Sequence, residues 1–178
     1  MVNGLKRAVF LDRDGVINRS VVENGRPYPP KSLDDLEILP GVAETLEQFR
    51  AHGFLNLVAT NQPDVTTGKT TQAVVDAIHD HLRAHLAIDG IYACYCVEGP
   101  DCDCYKPKPG LLLQAADEWK VDCARSFMVG DRWRDVGAGK AANCRTIFID
   151  YGYQERRPDG PDHIVKSLRD AAPIILAG

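Results

Sequence analysis

Arg7-Ala8-Val9-Phe10-Leu11-Asp12-Arg13-Asp14-Gly15-Val16-Ile17-Asn18 is the stretch on which the fold turns. Its apolar run, Ala8 to Leu11, stops at Asp12, and Gly15 follows. A short apolar run ended by polar residues and a glycine predicts a buried strand over Arg7–Leu11. Four more runs read the same way: Phe54–Ala59 before Thr60-Asn61, Ile91–Val97 entering a cysteine-rich segment, Ser126–Val129 before Gly130-Asp131, and Thr146–Ile149 before Asp150. Helical patterns lie between them, over Val42–Ala51, Thr71–Leu86, Leu111–Trp119 and Val136–Ala142. Ser167–Leu176 reads as a terminal helix in which Pro173 predicts a kink or an early end. Strands alternating with helices predict an α/β fold of three layers, α/β/α, Rossmann-like, around a mainly parallel sheet. Residues Asn18–Asp35, Gly99–Gly110 and Tyr151–Asp162 read as loops.

The 178 residues are 44% apolar and 26% charged, with a formal net charge of -4. A chain of this length buries roughly 70% of its unfolded surface, enough for a single domain spanning residues 1–178 without disulfide staples. No run approaches the roughly 18 to 20 apolar residues of a membrane helix, and Met1–Leu11 is too short and too soon charged for a signal peptide. The expectation is a cytoplasmic protein with no membrane partner. Acidity without a basic run argues against nucleic acid as a partner. Oligomeric state is not readable, with a monomer favoured.

In parallel sheets the chemistry gathers beyond the carboxyl ends of the strands. Asp12, Thr60, the segment after Cys104 and Asp131 all hold such positions. An isolated Asp-x-Asp at a strand end marks no more than a turn, but Asp12 and Asp14 are not isolated. Gly130-Asp131-Arg132-Trp133-Arg134-Asp135 adds two carboxylates with the spacing of a divalent-cation site. Thr60, Asn61 and Gln62 offer donors for phosphate oxygens, and Lys106 adds a point charge in the stiff Lys106-Pro107-Lys108-Pro109 stretch. Two carboxylates in different environments can divide labour as nucleophile and acid. Gly68-Lys69-Thr70-Thr71 imitates the tail of a nucleotide-binding loop, but Pro63 stands where its first glycine belongs; it reads as a loop entering a helix.

Four of six cysteines, Cys94, Cys96, Cys102 and Cys104, fall within eleven residues. Two Cys-x-Cys pairs joined by a turn can surround Zn²⁺ as four thiolates, which leaves no open position and makes the metal structural. Cys123 and Cys144 read as small buried or half-buried apolar residues. His79, His81 and His85 read as surface residues of one helix.

The motif set, from Asp12 to Asp135, resembles that of the haloacid dehalogenase (HAD) superfamily of phosphohydrolases. The resemblance implies the HAD fold, with Asp12 as the nucleophile that forms an aspartyl-phosphate, Asp14 as general acid and then base, and Thr60 and Lys106 stabilising the phosphoryl group. It implies catalytic Mg²⁺ on Asp12, the Asp14 carbonyl and Asp131, with Asp135 nearby. The cysteine segment is similar to that of the branch holding the heptose 1,7-bisphosphate 7-phosphatases and histidinol-phosphatase domains, with Cys96 at a histidine position and Tyr105 at an arginine position. The implied substrate is a small phosphorylated metabolite of carbohydrate metabolism, foremost D-glycero-D-manno-heptose 1,7-bisphosphate, with histidinol phosphate or another sugar phosphate as the alternative. No insertion large enough for a cap domain is present, so specificity falls to short loops and to Asn61, Gln62, Tyr105 and Arg132, with Arg26, Arg134 and Lys108 as further crevice cations. Pro63-Asp64 and Ser20-Val21-Val22-Glu23 depart from the branch pattern. A silent sugar-phosphate-binding module, or a zinc-dependent interaction module, would be the competing classes; the intact acidic set speaks against the first and Glu98, Asp101 and Asp103 against a nucleic-acid version of the second.

Overall fold

A computed structural model describes residues 4–178. Six strands, β1 (Arg7–Leu11), β4 (Phe54–Asn61), β5 (Gly90–Cys94), β6 (Phe127–Gly130), β7 (Arg145–Ile149) and β8 (His163–Val165), form one sheet in the order β5-β4-β1-β6-β7-β8. Every pairing in it is parallel. A separate antiparallel hairpin joins β2 (Val21–Glu23) to β3 (Arg26–Tyr28). The helices are α1 (Val42–Ala51), α2 (Gln72–His85), α3 (Gly110–Trp119), α4 (Trp133–Ala141) and α5 (Leu168–Leu176).

Alternation along β1 explains the three layers. Val9 and Leu11 point to a core shared with Leu46 and Phe49 of α1, Ile78 and Leu82 of α2 and Ala171 and Ile175 of α5. Ala8 and Phe10 point the other way, to Leu111 and Leu112 of α3 and Ala138 of α4. Because side chains of a strand alternate faces, a run apolar at every position is what a sheet covered on both sides demands.

Several boundaries differ from the expectation. β5 stops at Cys94 rather than Val97, so Cys96 lies in the loop. Residues 21–28, expected as loop, form the hairpin; Asn24 (φ 50°) and Gly25 (φ 74°) make its two-residue turn, which requires two positive φ values. β8, just past the expected loop, adds a sixth strand at the edge. Pro173 does not end α5, which runs on to Leu176. The segment Gly68–Thr71 does lead into a helix, α2, whose N-cap is Thr71, with its side chain accepting from Val74 N.

Candidate active site

The chain visits β1 first, then extends the sheet through β4 and β5 on one side and through β6, β7 and β8 on the other. β1 is therefore where strand order reverses, the usual place for a crevice. Its neighbours bring four strand ends side by side: Cys94, Thr60-Asn61, Asp12 and Gly130-Asp131. Asp12 N still donates to Val129 O at 2.9 Å, so the nucleophile candidate is pinned to β6 by its own backbone.

Lys106 is the hub. Only 2% exposed, it gives its Nζ protons to Asp12 Oδ1 (3.0 Å), Asp135 Oδ1 (2.6 Å) and Ala59 O (2.7 Å). All three donors of the ammonium are thus used. Burial works against its charge, but Asp12 and Asp135 outweigh burial and hold the lysine protonated well above its usual range. Asn61, expected to meet substrate, lines the crevice and also clasps the backbone of Lys106: Asn61 Nδ2 donates to Lys106 O (3.1 Å) and Lys106 N donates to Asn61 Oδ1 (3.0 Å).

Asp12, Asp131 and Asp135 are buried with carboxylate oxygens within 4.8 Å of one another. Asp12 Oδ1 accepts from Arg13 N at 2.8 Å as well as from Lys106, while its Oδ2 makes no hydrogen bond among the described residues. Burial first and Asp135 second push its carboxyl up to about 7, against the pull of Lys106. The Tyr153 phenol lies beside Asp131, yet neither Asp131 oxygen has a partner of hydrogen-bond geometry. Two orphaned buried carboxylate oxygens beside a second carboxylate fit a hard divalent cation such as Mg²⁺. Gly15, at φ 85°, closes this cradle: a Cβ there would run into the Asp131 carboxylate. Asp135 caps α4, its Oδ2 accepting from Arg132 N at 3.0 Å, and so is bound to Lys106 and the helix rather than left open.

Asp14 enters the expected cation set by its carbonyl; its carboxylate is turned elsewhere. It accepts from Arg13 Nη2 (3.0 Å), Asn18 Nδ2 (2.9 Å) and Gln62 Nε2 (2.9 Å). The same Gln62 Nε2 reaches Thr60 Oγ1 at 2.9 Å. Tyr105 lies half-buried on the crevice wall. Arg132 also lines the crevice but is tied to Glu155 by a double ion pair. Lys108 turns away, donating to Gly99 O, Pro100 O and Cys102 O and so stitching the cysteine loop.

Arg13 carries a role that no motif announces. Fully buried, it links Asp14 to His79, whose Nε2 lies 3.1 Å from Arg13 Nη1. His79, expected at the surface, is 4% exposed on the inner face of α2, unlike His81 and His85. Burial and then the Arg13 charge push His79 down to about 4, so it accepts as a neutral ring. A lowered folded-state value means stability is retained above about pH 6.5 and lost as pH falls through 4. Compared with His79→Gln, the wild type is expected to lose about 2 to 3 kcal/mol more between pH 7 and pH 4.5 in urea titrations. Parallel losses in the two proteins would exclude His79 as the titrating group.

The four cysteine sulfurs converge beside this crevice, all within 4.8 Å of one another. Cys94 and Cys104 are close enough to be joined as a disulfide. Cys102 Sγ nevertheless lies 3.5 Å from Cys94 Sγ and 3.4 Å from Cys104 Sγ, and Cys96 Sγ 3.8 Å from Cys104 Sγ. Four thiolates about 2.3 Å from one Zn²⁺ stand about 3.8 Å apart. A single disulfide gives the other two thiols no reason to gather. Cys123 is half-buried and Cys144 buried, as expected.

Among the described residues no helix is long and apolar enough to cross a membrane. A family model for HAD-hydrolase-like proteins matches residues 103–171. The D-glycero-beta-D-manno-heptose-1,7-bisphosphate 7-phosphatase of Pasteurella multocida (strain Pm70) is 34% identical over 96% of this chain and 97% of its own length. The enzyme of the same name from Escherichia coli (strain K12) is 38% identical over 94% and 93%. The crystal structure of the D,D-heptose 1,7-bisphosphate phosphatase from B. bronchiseptica, complexed with magnesium and phosphate, superposes with a TM-score of 0.81 at 29% identity, covering 96% of this chain and 98% of that one. Similarity of that extent, over a sheet that carries the acidic cluster at its centre, shows that the chain belongs to the HAD-like hydrolases.

Proposed function

We propose that the protein is a Mg²⁺-dependent phosphomonoester hydrolase that removes the 7-phosphate of D-glycero-D-manno-heptose 1,7-bisphosphate. The observation that carries the chemistry is the Asp12–Asp131–Asp135 cluster around Lys106, with the Asp131 oxygens unpartnered. The substrate rests on the names of the relatives that match nearly the whole chain.

Asp12 and Asp131 are the side chains that would hold Mg²⁺, with the Asp14 carbonyl as the expected third ligand. The cation, when bound, offsets the charge of the phosphate oxygens and of the attacking carboxylate. Asp12 Oδ2, free of hydrogen bonds, attacks phosphorus as the bond to the sugar oxygen breaks, giving an aspartyl-phosphate. Lys106 and Thr60 steady the transferring group. Asp14 delivers a proton to the leaving sugar oxygen, then takes one from the water that releases inorganic phosphate. Arg13, Asn18 and Gln62 fix its carboxyl for both steps. Asn61 grips the Lys106 backbone through its side-chain amide and so positions the ammonium for the phosphate. The activity is proposed to be cytoplasmic, on the reading that a charged sugar phosphate, which does not cross membranes unaided, is handled in the compartment where it is made.

We further propose that Cys94, Cys96, Cys102 and Cys104 hold a structural Zn²⁺ that braces the loop carrying Lys106. The test of function is phosphate release from the heptose bisphosphate, histidinol phosphate and simple sugar monophosphates, with and without Mg²⁺. The expected result is a preference for the bisphosphate that EDTA abolishes and Mg²⁺ restores. Efficient turnover of monophosphates alone would overturn the substrate assignment.

A further inference from the structure

We infer that Arg134 is the cation that receives the second, non-reacting phosphate of the substrate; this rests on the heptose-bisphosphate reading above. A bisphosphate carries a second anion that needs a partner in the same crevice as Asp12. Four cations line that crevice: Arg26, Lys106, Arg132 and Arg134. Lys106, whose ammonium lies against Asp12, Asp135 and Ala59, serves the reacting phosphoryl group. Arg132 is committed to Glu155 through Nε and Nη2. Arg26 stands exposed on β3, and among the described residues its side chain makes no hydrogen bond or ion pair.

Arg134 differs from all three. Its guanidinium carbon lies 4.6 Å from the centroid of the Trp133 ring and 5.6 Å from that of Tyr105, so two aromatic faces hold the planar group. Of its five N–H donors, one is used, in the 2.6 Å contact of Nη2 with Glu98. Among the described residues its Nε is buried without a partner and its Nη1 makes no hydrogen bond. The side chain is 19% exposed, whereas Glu98 is 56% exposed and sits in the loop after β5. A guanidinium preorganised on ring faces, with donors to spare and only a solvated carboxylate as its present partner, suits a phosphate oxygen. Arriving phosphate would exchange a screened, exposed pair for a charge-assisted contact inside the crevice. Tyr105 supplies a surface for the cation and no charge of its own.

The experiment compares kcat and KM for D-glycero-D-manno-heptose 1,7-bisphosphate and for p-nitrophenyl phosphate in wild type, Arg134→Gln, Arg134→Lys and Glu98→Gln. Arg134→Gln is expected to raise KM for the bisphosphate about 10- to 100-fold, with the loss in KM rather than in kcat, and to lower the ratio of the two specificity constants correspondingly. Arg134→Lys should recover part of the loss, and Glu98→Gln, by releasing the guanidinium, should lower KM for the bisphosphate. An equal fall in kcat/KM for both substrates would overturn the inference and assign Arg134 to structure. A wild type without preference for the bisphosphate would overturn the functional reading itself. A wild-type preference that persists in Arg134→Gln would overturn only the role of Arg134.

Discussion

Asp12→Asn is expected to lower kcat by about 10⁴-fold or more without unfolding the protein. An amide oxygen can keep both hydrogen bonds that Asp12 Oδ1 now accepts, from Lys106 Nζ and Arg13 N, so the local geometry survives. What is lost is the attacking carboxylate oxygen and with it the covalent route. Electrostatics predicts the opposite effect on stability. Three buried carboxylates, Asp12, Asp131 and Asp135, face one buried ammonium. Burial and Asp135 hold Asp12 up at about 7, above its ordinary value. A raised value means that this carboxyl favours the fold below about pH 4 and that its contribution is lost as pH rises through 7. Without divalent cation at pH 8, Asp12→Asn should therefore melt no lower than the wild type. Phosphate-release kinetics and thermal melts on the same preparation test both halves. Residual turnover within tenfold of wild type would remove Asp12 as nucleophile, and a collapsed melting temperature would mean that its role is structural.

The cluster that makes this prediction possible is legible in the chain because two of its members, Asp12 and Asp131, sit directly after apolar strands. Asp12 follows Leu11 and Asp131 follows Gly130, and a buried strand ending in a carboxylate has few explanations besides chemistry. The strand and helix order is legible for the same reason, since every inner strand is apolar on both faces. What escapes is short or depends on partners distant in sequence. The Val21–Glu23 and Arg26–Tyr28 strands are three residues each, and Pro27 reads as a breaker although an isolated hairpin tolerates it. The Asn24-Gly25 pair was the available signal, being the preferred two-residue hairpin turn. Arg13 and His79 are separated by 66 residues, and only the packing of α2 against the sheet brings them together. Asn61 looks like a substrate ligand because its strand end faces the crevice; its commitment to Lys106 depends on where the cysteine loop returns.

Because Lys106 depends on how that loop returns, removing the proposed zinc, or Cys102→Ala, is expected to lower kcat/KM by about 100-fold or more and to lower the melting temperature. Fifteen residues separate the end of β5 at Cys94 from the start of α3 at Gly110, and none of them forms helix or strand. Lys106 lies two residues after Cys104, yet its ammonium must meet groups on three other elements. A misplacement of about 1 Å in such a group costs on the order of 10²-fold. Several contacts hold the loop besides the sulfurs: Thr66 Oγ1 donates to Tyr95 O, Arg134 pairs with Glu98, Lys108 gathers three carbonyls, and Asn61 grips the Lys106 backbone. The Lys108 and Arg134 side chains reach the turn between Cys96 and Cys102, and the sulfur cluster fixes its two ends. The nature of that cluster is decided by reagents with opposite effects. If Cys94 and Cys104 are a disulfide, a thiol reductant lowers stability and a chelator does nothing. If all four sulfurs are thiolates on one cation, a reductant leaves the protein intact, metal analysis finds about one zinc per chain, and stripping it costs both stability and turnover. The second pattern is expected, because Cys96 and Cys102 converge on the same point as the other two. A zinc-free protein that retains full activity would overturn it.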